Sequence, residues 1–209
     1  TVHNLSQHMQ LHKSHGLILS HPGAGSSTLE TTKENLKNTY KAALDYLIKK
    51  QQAKELILHG FSLGGATQAL GLDGFKFPKD IRVVSIKRQT FTSLPNMARV
   101  IAHRLSNPLG KVASLIMKFF GWSLRVDKLS YKLPDHIPQL ILETGTDDMP
   151  KHDGMIPAEQ ALSLSRLLKG KISRKKATIF RINTGHNHPL SPSIIKRVVS
   201  WVETQLQQK

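Results

Sequence analysis

The sequence contains no cysteine, which excludes disulfides, thiolate metal sites and a cysteine nucleophile, and leaves the redox compartment unreadable. Carboxylates are scarce: 14 Asp and Glu stand against 30 Lys and Arg, for a formal charge of +16. Such an excess draws polyanions, so an anionic membrane surface is an admissible partner. Nucleic acid is disfavoured, because the cations are spread from Lys13 to Lys209 with one short cluster at Arg174-Lys175-Lys176, and no aromatic residues interleave them as a stacking platform. The start, Thr1-Val2-His3-Asn4, has neither an initiator Met nor an apolar signal region. It reads as a processed chain or a fragment, with any targeting segment upstream, and localisation is not legible. No long apolar run is present. The most apolar stretch, Lys111 to Trp122, is too short to span a membrane and carries Lys118.

What is there is a folding chain. Hydrophobic residues make up 39% and recur in short runs separated by Gly, Pro and Asn, the pattern of a single globular domain over residues 1–209. In order, the periodicity predicts a buried strand at His15 to Ser20, an amphipathic helix from Ser27 to Lys50, a strand at Leu56 to Leu58, a helix from Gly65 and a strand at Ile81 to Ile86. Residues 95–135 interrupt the alternation with two helices, Met97 to Leu105 and Lys111 to Phe120, read either as a helical lid insertion or as helices packed on the core. The alternation resumes with a strand at Gln139 to Leu142, an Asp-rich loop from Glu143 to Gly154, a helix at Ala158 to Leu168, a strand at Ala177 to Ile182 and a closing helix capped at Ser191-Pro192-Ser193.

Two features invite a ligand and are set aside. His8, His12 and His15 share one helical face at zinc-binding spacing, but no carboxylate or cysteine accompanies them, so no metal is expected. The loop His21-Pro22-Gly23-Ala24-Gly25-Ser26-Ser27 follows a strand, yet no Lys follows its second glycine and Thr28 stands where a dinucleotide fingerprint has its third, so no phosphate cofactor is implied.

The chemistry centres on Leu56-Ile57-Leu58-His59-Gly60-Phe61-Ser62-Leu63-Gly64-Gly65-Ala66. A strand, a serine with glycines two residues either side, and a helix form a sharp turn that thrusts the hydroxyl out of the backbone. Gly60 and Gly64 are expected to leave room where a Cβ would clash.

With Ser62 after one strand, the Asp-rich loop after another and Gly185-His186 after the last, the chain resembles the α/β-hydrolase superfamily, over nearly its whole length. The resemblance implies a mostly parallel sheet with helices on both faces. Pro22 to Ser27 looks like the glycine turn after that fold's fourth strand, and Thr90-Phe91-Thr92-Ser93-Leu94 is similar to a T-F-S-S-L segment of serine hydrolases from intracellular parasites and symbionts. Only one helix fits between Gly25 and Ser62, so the fold's third strand is expected upstream of Thr1 and absent. With it would go one donor of the oxyanion hole, the N–H of Leu63 remaining. On that reading the 209 residues are a weak catalyst, and an upstream extension gains stability and rate together.

The resemblance also implies roles. Ser62 attacks a carbonyl, and His186 accepts its proton, preferred over His188 because Gly185-His186-Asn187 resembles the family's histidine loop. Two aspartates compete for the acid: Asp148 has the family's spacing from Gly145, whereas Asp153-Gly154-Met155-Ile156-Pro157 matches its D-x-x-I-P pattern and is preferred, with Met149 to His152 then an insertion. The implied activity is cleavage of an ester, thioester or amide in a small-molecule or lipid-like acyl substrate, without cofactor. A lapsed hydrolase fold used for binding, and a basic membrane-surface or nucleic-acid binder, stand as alternatives. The substrate and the oligomeric state are not legible.

Overall fold

The structure is a computed structural model, and it describes residues 14–103, 111–112, 115–117, 121–134, 136–145, 151–158, 160–161 and 177–207. Four strands, β1 (Glu55–Phe61), β2 (Arg82–Arg88), β3 (Gln139–Thr144) and β4 (Ala177–Ile182), form one sheet in that order. All three pairings are parallel, with Gly60 opposite Lys87 and Leu142 opposite Phe180 in register. Parallel strands need crossovers, and the helices that supply them cover the faces. β2 and β3 are accordingly buried on both sides, whereas β1 alternates.

On one face pack α1 (Lys33–Asp45), α2 (Leu63–Leu72) and α4 (Val126–Tyr131), through Leu36, Ala66, Leu70 and Val126 in one cluster and Leu44, Leu56, Leu72 and Val83 in another. On the other face lies α5 (Pro192–Gln207), whose Ile195, Val198, Val202 and Leu206 recur at helical spacing against Val84, Ile86, Leu140 and Leu142. α3 (Leu94–His103) follows β2 and buries Pro95 and Met97.

Several boundaries differ from the sequence reading. α1 begins at Lys33 rather than Ser27 because Thr32 is its N-cap, its hydroxyl accepting from the Asn35 N–H at 3.1 Å. It ends in a π-helical turn, Tyr46–Lys50. α4 was not expected, being too short to show a period. The expected strand at His15 to Ser20 does not form: the segment has no regular structure, and Leu17 and Ile18 are 44% and 58% exposed. A strand exists only by joining a ladder, and among the described residues nothing pairs with the outer edge of β1, where the intervening strand of the fold would stand. Of the expected lid helix, residues 111–112 and 115–117 are helical, with Val112, Leu115 and Ile116 exposed. Most of the expected helix at Ala158 to Leu168, like His8, His12 and the cluster at Arg174 to Lys176, lies outside the described residues.

Beneath the elbow, the turn at Ser62 between β1 and α2, runs a buried polar chain. Lys87, fully buried on β2, directs its ammonium nitrogen to Ser85 Oγ at 3.1 Å and Gln139 Oε1 at 3.0 Å. Ser85 Oγ donates to Gln68 Oε1, and Gln68 Nε2 donates to the Leu58 carbonyl at 2.7 Å. Both partners of Lys87 are neutral, so desolvation brings its pKa down to about 7. Between pH 7 and the value of about 10.4 of an unfolded lysine, the unfolded chain holds a proton that the folded one lacks. Stability therefore rises with pH across that window, by up to about 1.4 kcal/mol per pH unit from this group. The urea-derived stability of the wild type should gain on that of Lys87→Met from pH 7 to pH 10; parallel curves would show that Lys87 keeps its charge in the fold.

Candidate active site

Ser62 is the single residue between β1 and α2, with φ 52° and ψ −118°. A non-glycine residue there costs on the order of 1–3 kcal/mol and persists only when its surroundings over-determine it. They do so through the Ser62 N–H, which donates to the Arg88 carbonyl at 2.9 Å, and the Ser62 carbonyl, which accepts from the Gly65 N–H at 3.1 Å and from Thr90 Oγ1 at 3.2 Å. The close approach of α2 to the strands needs two glycines. A Cβ on Gly60 would lie 2.5 Å from Gly65 Cα, and one on Gly65 would lie 2.1 Å from Thr90 Oγ1. Gly64, expected to serve this purpose, would meet nothing within 4 Å. It sits on the open side of the turn, so the second constrained position is Gly65.

The Ser62 hydroxyl does not cap the helix that it precedes, and the residue is half-buried. Leu63 opens α2, so its N–H is one of the donors a helix leaves unpaired in its first turn, at the positive end of the helix dipole.

The loop that carries Asp153 is built on its own backbone. Asp153 Oδ1 accepts from the N–H groups of Met155 (2.9 Å) and Ile156 (2.6 Å), and Ile156 is anchored in the core with Leu36 and Ala66. This explains the D-x-x-I-P pattern: the isoleucine pins the turn that aims the carboxylate. The other oxygen, Oδ2, lies 2.7 Å from His186 Nδ1, and the His186 N–H donates to the Asp153 carbonyl at 2.6 Å. Both residues are buried. Burial pushes the Asp153 carboxyl up, but the hydrogen bonds from His186, Ile156 and Met155 outweigh it and leave the pKa below the usual value. Asp153 and His186 are thus brought together, while His188 is exposed and Asp148 lies outside the described residues.

The histidine loop is tied to the elbow. The Phe61 ring, one residue before Ser62, packs on the His186 ring with centroids 4.9 Å apart, and the Arg88 guanidinium lies over the Phe61 ring while donating to the His188 carbonyl. Gln89 Nε2 reaches both Thr144 Oγ1 at the end of β3 and the Thr184 carbonyl after β4. Neither Arg88 nor Gln89 stood out in the sequence. Their signal was in plain view: polar residues directly after an apolar strand, at the edge of a parallel sheet where ligands bind.

Comparison with solved structures identifies the fold that carries these loops. The chain superposes on an α/β hydrolase from Vibrio vulnificus with TM-score 0.71 at 20% identity, covering 97% of this chain and 68% of that one. It superposes on MenH from S. aureus with TM-score 0.60 at 14% identity (97% and 89%), and on an esterase from Pyrococcus furiosus with TM-score 0.55 at 13% identity (83% and 62%). The fold is that of the α/β hydrolases. Residues 2–207 match the family described as Chlamydia CHLPS protein (DUF818), and the chain belongs to it. No curated protein matches the chain.

The two glycines make opposite predictions. Gly65→Ala should lower stability by about 1–3 kcal/mol through overpacking against Thr90. Gly64→Ala should leave stability unchanged or raise it by up to about 1 kcal/mol, through helix propensity. Urea midpoints of the two variants decide it; a tolerated Gly65→Ala would mean that α2 does not approach β2 this closely.

Proposed function

We propose that the protein is a serine hydrolase that cleaves an ester, thioester or amide through an acyl-enzyme, with Ser62 as nucleophile, His186 as base and acid, and Asp153 as the acid that orients it. The observation that carries this reading is the buried Asp153–His186 pair, held against Phe61 at the mouth of the strained turn that presents Ser62. Asp153 fixes Nδ1 of the imidazole as the donor, which leaves Nε2 to take the Ser62 proton as the hydroxyl oxygen adds to the carbonyl carbon. The same proton then passes to the departing alcohol, thiol or amine, and water repeats the sequence to release the acid. The Leu63 N–H is a donor for the oxyanion, and its place at a helix N-terminus favours the negative charge that develops there.

Val112, Leu115 and Ile116 between β2 and β3, exposed in the structure, favour an insertion that faces an acyl chain or an interface over a core helix. A second reading, a binding protein on a lapsed hydrolase fold, is favoured by the absence among the described residues of the strand that would carry a second oxyanion donor; losing one such donor costs roughly 10²–10³ in rate.

A fluorophosphonate probe should label the protein, and Ser62→Ala should abolish the labelling. Ser62→Ala and His186→Ala should each lower turnover of a short-chain p-nitrophenyl ester by about 10³-fold or more. Wild type that neither labels nor turns over would leave the binding reading; labelling that survives Ser62→Ala at full strength would remove Ser62 from the mechanism.

A further inference from the structure

A cleft of about 410 Å³ opens between α1 and α4 over the C-terminal end of α2. Its wall on one side carries Lys33 and Lys37 of α1, and on the other Lys128 and Lys132 of α4 and the residue after it, with Arg125 before α4. The four-residue spacing places each lysine pair on one helical face, where like charges repel. Against these five cations the lining sets two carboxylates, Glu34 and Asp73.

The pairing within the cleft is incomplete. Lys37 meets Asp73 at 3.6 Å, and Arg125 is held by both oxygens of the buried Asp127. Among the described residues, Lys33, Lys128 and Lys132 have no carboxylate within 4.0 Å. The floor is rigid, since Leu70 and Leu124 belong to the core and Leu129 packs against it. Leu70 also lies eight residues along α2 from Ser62, about 12 Å at the helical rise, so the cleft is not the mouth of the elbow.

We propose that this cleft binds a multiply charged, phosphate-bearing group, at a site separate from the Ser62 centre. Lysine supplies compact point charges that can surround a tetrahedral anion from several directions, whereas a planar carboxylate is matched better by the forked guanidinium, and the cleft's one arginine is already occupied by Asp127. The volume exceeds that of a lone phosphate and leaves room for the group that carries it. The anion neutralises two like-charged lysine pairs at once, which gives it a larger interaction here than on the isolated lysines elsewhere on the surface.

The carrier is either a lipid headgroup or a soluble phosphate ester, and two probes separate them. The full chain is titrated with phosphatidylcholine vesicles with and without phosphatidic acid, and with inorganic pyrophosphate, at about 0.15 M salt, where distant surface charges are screened. Binding to the phosphatidic acid vesicles alone identifies a headgroup site; binding to pyrophosphate identifies a soluble one. In either case Lys128→Gln/Lys132→Gln should weaken binding by about tenfold or more, while Lys50→Gln/Lys196→Gln, which removes the same charge from exposed positions outside the cleft, should weaken it by less than about twofold. Ester turnover by the cleft variant should match that of the wild type, so the outcome is independent of the triad. Equal weakening by the two double variants, or no binding of either probe, overturns the proposal.

Discussion

A strand passes into a helix at Ser62 with no loop between them, and the rest of the structure is built to hold that junction. Left-handed backbone at a serine is unfavourable, so the turn exists only because its neighbours permit nothing else. β1 and β2 are in register along their whole length, from Glu55 opposite Arg82 to Phe61 opposite Arg88. That ladder fixes where the Arg88 carbonyl and the Thr90 hydroxyl stand relative to Ser62. Gly60 and Gly65 then let α2 come close enough for both to bind it. Strain at one residue is thereby held by the sheet and the helix together.

The same ladder carries the other two loops. Gln89 follows β2 directly, at φ 46°, and its amide spans from Thr144 to Thr184, so the ends of β2, β3 and β4 are joined by one side chain. The positions of Asp153 and His186 relative to the elbow thus follow from sheet register as much as from their own contact. Below them the chain Gln68, Ser85, Lys87 and Gln139 links α2, β2 and β3 by hydrogen bonds where the rest of the layer is apolar. A buried polar chain has fewer acceptable arrangements than an apolar one, and each member left without its partner is costly. This makes it a constraint on how α2 seats on the sheet.

How much of this the sequence disclosed depended on the range of the interaction involved. The elbow was legible because its determinants lie within ten residues, and β2, β3 and β4 were legible as short apolar runs. Asp153 was preferred over Asp148 on a local pattern whose isoleucine turns out to anchor the loop. The strand at His15 to Ser20 misled because apolar runs report the wish to be buried, while a strand also needs a neighbour with free backbone groups. Gly64 and Gly65 could not be ranked from spacing, since the choice is made by Thr90, remote in sequence. Lys87 passed as one basic residue among thirty, because nothing local to it says that Gln139 and Ser85 wait for it.

The scarce carboxylates show what the basic excess does. Asp45, Glu55, Asp73, Asp80, Asp127, Glu143 and Asp153 each hold a cationic or imidazole partner. From Ile81 to Val126 the chain has no Asp or Glu at all, although this stretch follows the elbow and contains β2, α3 and the exposed Val112, Leu115 and Ile116. Exposed pairs such as Lys49–Asp45 contribute little to stability, so the pairing does not explain the imbalance. Cations left over act instead through the field, and at physiological salt that field decays within about 8 Å. A diffuse charge is therefore nearly invisible to a partner until contact, and only cations gathered on facing helices, as in the cleft, or beside an apolar surface, as after β2, retain a local potential strong enough to select an anionic one.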